Sequence, residues 1–166
     1  MESLPGFDIR FSELDDVAYL SSWLSYPDAC DDFPFSLEEK DDAIKNWIGF
    51  SKYKASLTGT MNGTVCAVGT LFLMPYKKVS HHCSFYLIVD PEHRRTGIGT
   101  SMVRNLLHLA KSRFKLESMH AELFLPCALE TILTRLDFKP FARQDDFVQI
   151  DEAHLRPRLL LEHFFV

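Results

Sequence analysis

The chain carries little that would tie it to a membrane, a metal or an oxidising compartment. No apolar run approaches the roughly 20 residues that a bilayer-spanning helix needs, and the opening stretch "MESLPGFDIRF" has neither a basic segment nor an apolar core of the signal-peptide kind. The four cysteines, Cys30, Cys66, Cys83 and Cys127, lie far apart, with no C-x-x-C pair and no Cys/His spacing typical of structural zinc. Reduced thiols, a cytoplasmic location and no metal are therefore expected. Positive charge is also short. The 18 Lys and Arg against 23 Asp and Glu leave a net charge of −5, which argues against nucleic acid as a main partner because phosphate neutralisation needs a basic surface. There is no internal repeat, low-complexity tract or linker, and 166 residues fit one domain spanning 1–166.

What is present is the profile of a globular protein, with 46% apolar and 25% charged residues. Phe7, Ile9 and Phe11 alternate with polar residues and predict a first strand, after which Ser12 and Asp15 predict a capped helix to about Leu24. Ser36 with Glu39 caps a second helix carrying Ile44, Trp47 and Ile48. From Ala55 the pattern is strand-like, with Asn62-Gly63 as a hairpin turn and a return strand from Val65 to Met74. His81 to Val89 reads as a further strand. Met102, Val103, Leu106, Leu107, Ala110 and Phe114 then recur at helical spacing. Met119 to Leu125 predicts a strand, Ala128 to Leu136 a short helix, and the tail more strand. The order is β-α-α-β-β-β-α-β-α-β-β, an α/β fold with a mixed sheet.

The stretch "VDPEHRRTGIGTSMVRNLLHLAK" concentrates the chemistry. Asp90-Pro91 ends strand pairing, because proline has no N–H for the ladder. Arg94, Arg95 and Thr96 lead through Gly97 and Gly99 into a helix start, whose free amides and positive dipole end form an anion site suited to a diphosphate. A Walker loop is absent, and Met102 stands where a dinucleotide fingerprint needs its third glycine. A turn with exposed arginines is the competing reading of the same residues.

Arg94-Arg95-Thr96-Gly97-Ile98-Gly99, preceded by "LIVDPEH" and followed by an amphipathic helix, resembles the R/Q-x-x-G-x-G/A signature of the GNAT acetyltransferase superfamily. The element order is similar to that family's along essentially the whole chain, and "WLSYPDACDDFPFSLEEKDDAIKNWI" resembles the branch with ribosomal-protein N-acetyltransferases. The resemblance implies a mostly antiparallel sheet and an enzyme that carries acetyl from acetyl-CoA to an amine acceptor by direct attack. Backbone groups of Leu87, Ile88 and Val89 would hold the pantetheine arm, and the amides from Arg95 to Thr100, including Ile98, the pyrophosphate. An N–H near Val89 would face the thioester oxygen.

Where the family places a proton-donating tyrosine, the segment "PCALETILTRLDF" has Leu133. The family's frequent strand-borne base aligns with Cys83, a poor base. The candidates for acid and base are therefore His81, His82, Glu122 and Tyr86, with His120 a further one, although side chains of these types on a strand are more often solvated or structurally bonded than catalytic. Cys83 and Cys127 read as small hydrophobes. The acidic run Asp28, Asp31, Asp32, Glu38, Glu39, Asp41 and Asp42 lies where the family's fold lines its acceptor cleft and either draws a cationic amine or is simply a solvated helix face and loop. An acetyl-CoA-binding regulatory module is the alternative function. The apolar tail "LLLEHFFV" needs cover from the sheet or from a partner such as a second copy.

Overall fold

The protein is described here by a computed structural model covering residues 4–165. Its elements are β1 (Phe7–Phe11), α1 (Val17–Leu24), α2 (Lys40–Gly49), β2 (Ser56–Met61), β3 (Thr64–Leu73), β4 (His82–Val89), α3 (Ile98–Ser112), β5 (Ser118–Phe124), α4 (Leu129–Arg135), β6 (Lys139–Asp151) and β7 (His154–Phe164). This is the order expected from the sequence. Among the described residues, seven strands form one sheet in the order β1-β2-β3-β4-β5-β7-β6. All neighbours are antiparallel except β4 and β5, and α3 supplies the crossover which that parallel pair requires. Asn62 and Gly63 both have positive φ, 51° and 84°, so the β2–β3 hairpin turns in the sense that matches strand twist.

Helices cover both faces of the sheet. The helical stripe of α3 puts Met102, Val103, Leu106 and Ala110 against Ala67, Leu71, Cys83 and Phe85. On the other face, Leu20, Trp23 and Leu24 of α1 with Ile44, Trp47 and Ile48 of α2 cover Val65, Val68 and Ile88. The period-two alternation of β4 thus divides it between layers: Cys83 and Phe85 face α3, whereas Tyr86 and Ile88 face α1 and α2.

Three expectations shift. The first helix does not start on a Ser12 cap, because the Ser12 hydroxyl is buried and bonds Thr58 and Ser56, each at 2.8 Å. A 3-10 turn, Leu14–Asp16, intervenes, and the Asp16 carboxylate caps it by accepting the Glu13 amide at 2.9 Å. The Ser36–Glu39 pair forms, with the Glu39 carboxylate accepting from the Ser36 amide and hydroxyl, but it closes the turn before α2, which begins at Lys40 with no side-chain cap bond. His81 falls outside β4, in an exposed turn, although its carbonyl still accepts the Glu117 amide at 2.7 Å. The apolar tail is absorbed by β7, where Leu159 and Leu161 are buried beside β5 and Phe164 remains 58% exposed.

Candidate active site

β4 and β5 pair over only His82–Ser118, Cys83–Met119 and Ser84–His120, and then diverge into a V. Beyond that point β5 is held by β7 and β4 by β3, so the facing edges of the two strands are unpaired. The Asp90 amide donates to the Cys66 carbonyl at 2.7 Å, which sets the phase of the β3–β4 ladder. Alternate residues exchange both bonds in such a ladder, so Ile88 spends its backbone groups on Val68, whereas Leu87 and Val89 turn theirs toward the gap. Of the three residues expected to offer backbone there, two do so. Ile88 contributes a buried side chain instead.

At the open end of the V, Asp90 organises the turn into α3. Its carboxylate accepts the Glu92 amide at 3.0 Å and contacts His93 Nδ1 at 3.1 Å, while the Thr96 hydroxyl donates to the His93 carbonyl at 2.7 Å. Arg95 (φ 61°) and Gly97 (φ 87°) both lie in the left-handed region, which bends the chain so that α3 begins at Ile98 facing the gap. The first chain-internal helical bond there runs from Ser101 to Gly97, leaving the amides of Ile98, Gly99 and Thr100 for an anion. Arg94 and Arg95 are exposed beside them. At Gly97 a Cβ would stand 3.4 Å from Leu4, so space is adequate and the backbone angle is the constraint. Gly97→Val is therefore expected to unbend the turn and, if acetyl-CoA is the ligand that the sequence resemblance implies, to abolish its detectable binding by calorimetry, while the buried core keeps the fold. Unchanged affinity in the folded variant would remove the anion-site assignment. Gly99 has a packing role: its Cβ would sit 3.0 Å from Ile132 of α4.

A cavity of about 500 Å³ runs through the V. Arg94, Arg95, Gly99 and Ile132 line one end, and Asp32, Phe33, Tyr86 and Glu122 line the other. Tyr86 stands in an aromatic cluster, with ring centroids of Phe33, Trp47 and Phe72 between 4.7 and 5.3 Å away. Burial, reinforced by the Glu122 charge, pushes the Tyr86 phenol up to about 12. Glu122 is half-buried, and its Oε2 accepts Arg158 Nε at 2.6 Å. Of the acidic run, Asp32 alone lines the cavity, and it is bonded to Arg156 at 3.1 Å. Arg156 also donates to the backbone carbonyls of Asp31, Phe124, Leu125 and Pro126, so one guanidinium ties the roof of the cavity to its floor.

The histidines gather elsewhere. His82 stacks on His120 at the closed end of the V, with centroids 4.9 Å apart, and His81 meets His82 edge-on at 4.5 Å. Burial, then the neighbouring His82, holds the His120 imidazole below its ordinary value. None of the three lines the cavity. Cys83 is fully buried against α3, and burial pushes its thiol up to about 12. The strand position aligned with the family base thus faces the wrong layer.

Residues 18–126, well over half of the chain, match the model of the acetyltransferase (GNAT) family. The chain belongs to the GNAT family. Among solved structures it is similar to one from Salmonella typhimurium determined with its cofactor acetyl-CoA (15% identity, TM-score 0.80, 96% of this chain and 94% of the other). It is also similar to a GNAT-family acetyltransferase from Streptococcus pneumoniae (16%, 0.78, 96% and 99%) and to a ribosomal-protein-alanine N-acetyltransferase from Brucella melitensis (17%, 0.76, 95% and 99%). At these identities the likeness is one of fold. No curated protein sequence matches the chain.

Within this GNAT domain the signature residues Arg94 to Gly99 form the turn at the mouth of the V, and Leu133, at the position of the family tyrosine, is fully buried in the core. Of the four acid–base candidates, the cavity brings together Tyr86 and Glu122 and leaves out His81 and His82. Sequence reasoning missed Phe33, Arg156 and Arg158. The only local signal was the Arg156-Pro157-Arg158 run in a strand-like tail, and its partners lie 30 or more residues away for Arg156 and 36 away for the Arg158–Glu122 bond.

Proposed function

We propose that this GNAT protein transfers the acetyl group of acetyl-CoA to a primary amine by direct attack, without a covalent enzyme intermediate. The observation that carries the reading is the single cavity joining the helix-start anion site to Tyr86 and Glu122. The residues fit the cosubstrate: free amides at Ile98, Gly99 and Thr100 with Arg94 and Arg95 suit a diphosphate, and the unpaired backbone of Leu87 and Val89 suits an extended amide-bearing arm. Acetyl-CoA supplies the activated acyl group. The chain supplies orientation and proton transfer, with the Val89 N–H turned toward the position of a thioester oxygen.

An amine with a pKa near about 10.4 is almost wholly protonated at neutral pH, so the site must take a proton from it. Glu122 is the acceptor in reach of the cavity. The departing sulfur needs a proton in return, and Tyr86, which holds its own proton to about pH 12, is the donor. Asp32 on the cavity wall, with Asp28 and Asp31 shortly before it in the chain, adds negative charge that draws cationic amines inward.

The test is release of the CoA thiol from acetyl-CoA with spermidine, lysine, phenylethylamine and a peptide beginning with alanine, the acceptor class named for the Brucella melitensis neighbour. Turnover with at least one amine is expected. Its kcat/KM should rise with pH and show no falling limb below about pH 9, because the donor stays protonated throughout that range. Tight acetyl-CoA binding with no turnover on any amine at any pH would replace this reading with that of a regulatory module.

A further inference from the structure

The β6–β7 hairpin supports the wall of the cavity through Arg158, which does not line it but bonds the lining residue Glu122. Its guanidinium is held on three sides. Nε donates to Glu122 Oε2 at 2.6 Å, Nη1 donates to Gln144 Oε1 at 2.8 Å, and the guanidinium carbon lies 4.5 Å from the centroid of the Phe147 ring. The last contact depends on an irregularity in the sheet. Gln144 is opposite Arg158 and Val148 is opposite Arg156, so extra residues bulge from β6 between them, with Asp146 at φ 53°. The bulge brings Phe147 over the guanidinium instead of leaving it along the strand.

We propose that Arg158 is a positioning residue for the transfer reaction, fixing the Glu122 carboxylate with one oxygen bonded and the other presented to the acceptor amine. This rests on the reading of Glu122 as proton acceptor. Only Oε2 of Glu122 is engaged by another side chain among the described residues. A carboxylate on a flexible stem samples several rotamers, and a charge-assisted bond from an arginine that is itself clamped removes that freedom before the amine arrives. Gln144 and Phe147 are therefore supports for a support, which gives the bulged hairpin a use that strand pairing alone does not.

The experiment is a double-mutant cycle on Glu122→Gln and Arg158→Gln, read as kcat and KM with acetyl-CoA and the fastest amine of the panel above. Arg158→Gln is expected to lower kcat by about tenfold to a hundredfold with little change in KM for acetyl-CoA, and to have no further effect once Glu122 is glutamine. Arg158→Lys should recover part of the loss, because a cation remains near the carboxylate without the planar fork. If Arg158→Gln does not fold, Phe147→Leu reads the same coupling, with a smaller loss of kcat that likewise vanishes in the Glu122→Gln background. Losses that multiply in the double variant, or an Arg158 effect confined to KM, overturn the positioning role. Full turnover in Glu122→Gln would overturn the underlying assignment of the base, a distinct outcome visible from that single variant.

Discussion

Glu122→Gln is expected to lower kcat by about 10²- to 10⁴-fold while acetyl-CoA affinity stays within about twofold of the parent. The selectivity follows from position. Glu122 lines the cavity beside Tyr86, whereas the proposed anion site is at Arg94, Arg95 and Gly99. Glutamine keeps the size of the side chain and an oxygen for Arg158 Nε, so the variant loses the ability to hold a proton and little else. His81→Ala and His82→Ala serve as contrasts. His81 is exposed in a turn and His82 is stacked at the closed end of the V, so both should retain turnover near that of the parent. Steady-state rates, calorimetry with acetyl-CoA and a melting curve on each variant decide the matter. If His82→Ala or His120→Ala takes the large loss instead, proton transfer runs through the stacked imidazoles.

Asp16→Ala is expected to cost about 3 kcal/mol of stability, or roughly 6 to 12 °C in Tm for a chain of this size. Asp16 is 3% exposed and is the sink of a hydrogen-bond chain that crosses the sheet beneath α1. Its carboxylate accepts two bonds from Arg10, at 2.8 and 2.9 Å, one from the Glu13 amide at 2.9 Å and one from the Thr58 hydroxyl at 2.9 Å. Behind Thr58 follow Ser12, Ser56 and Thr70, all buried. Removing the carboxylate leaves those donors without an end point, and buried donors left unpaired cost more than the bonds themselves contribute. Arg10 is 39% exposed and regains water, which places the estimate at the low end of the range for broken buried pairs.

The same carboxylate predicts an acid limb in stability. Burial alone would push the Asp16 carboxyl up, but the bonds from Arg10, Glu13 and Thr58 outweigh it and leave it below its ordinary value. A carboxyl depressed on folding contributes stability above its unfolded pKa and loses it as pH falls through the folded one. The parent should therefore lose Tm as pH drops below about 4, and Asp16→Ala should show a shallower acid limb. Asp15→Ala, at the exposed neighbour, is the control and should leave both unchanged. An Asp16→Ala protein that melts with the parent across the whole range would show that the hydroxyl chain re-forms without its end point.

The sequence by itself determined the order of elements, the Asn62-Gly63 hairpin, the helical stripe of α3 and the glycine-bearing turn into it, because each is written in residues within a few positions of one another. Periodicity, φ preference and capping are local physics, and the residues that express them are neighbours in the chain. The family resemblance rested on such a local run, Arg94 to Gly99. Only the tertiary structure decided which acid–base candidates share a cavity. Tyr86 and Glu122 meet because β4 and β5 separate after Ser84–His120, and that point is set by which strands claim their outer edges. His81 left the strand by one residue, and Ser12 gave up a cap for a buried partner on β2. Arg156 and Arg158 were unreadable beforehand: a long cation has no local periodicity to betray its use, and its value comes from carbonyls and carboxylates that only chain folding brings within about 3 Å.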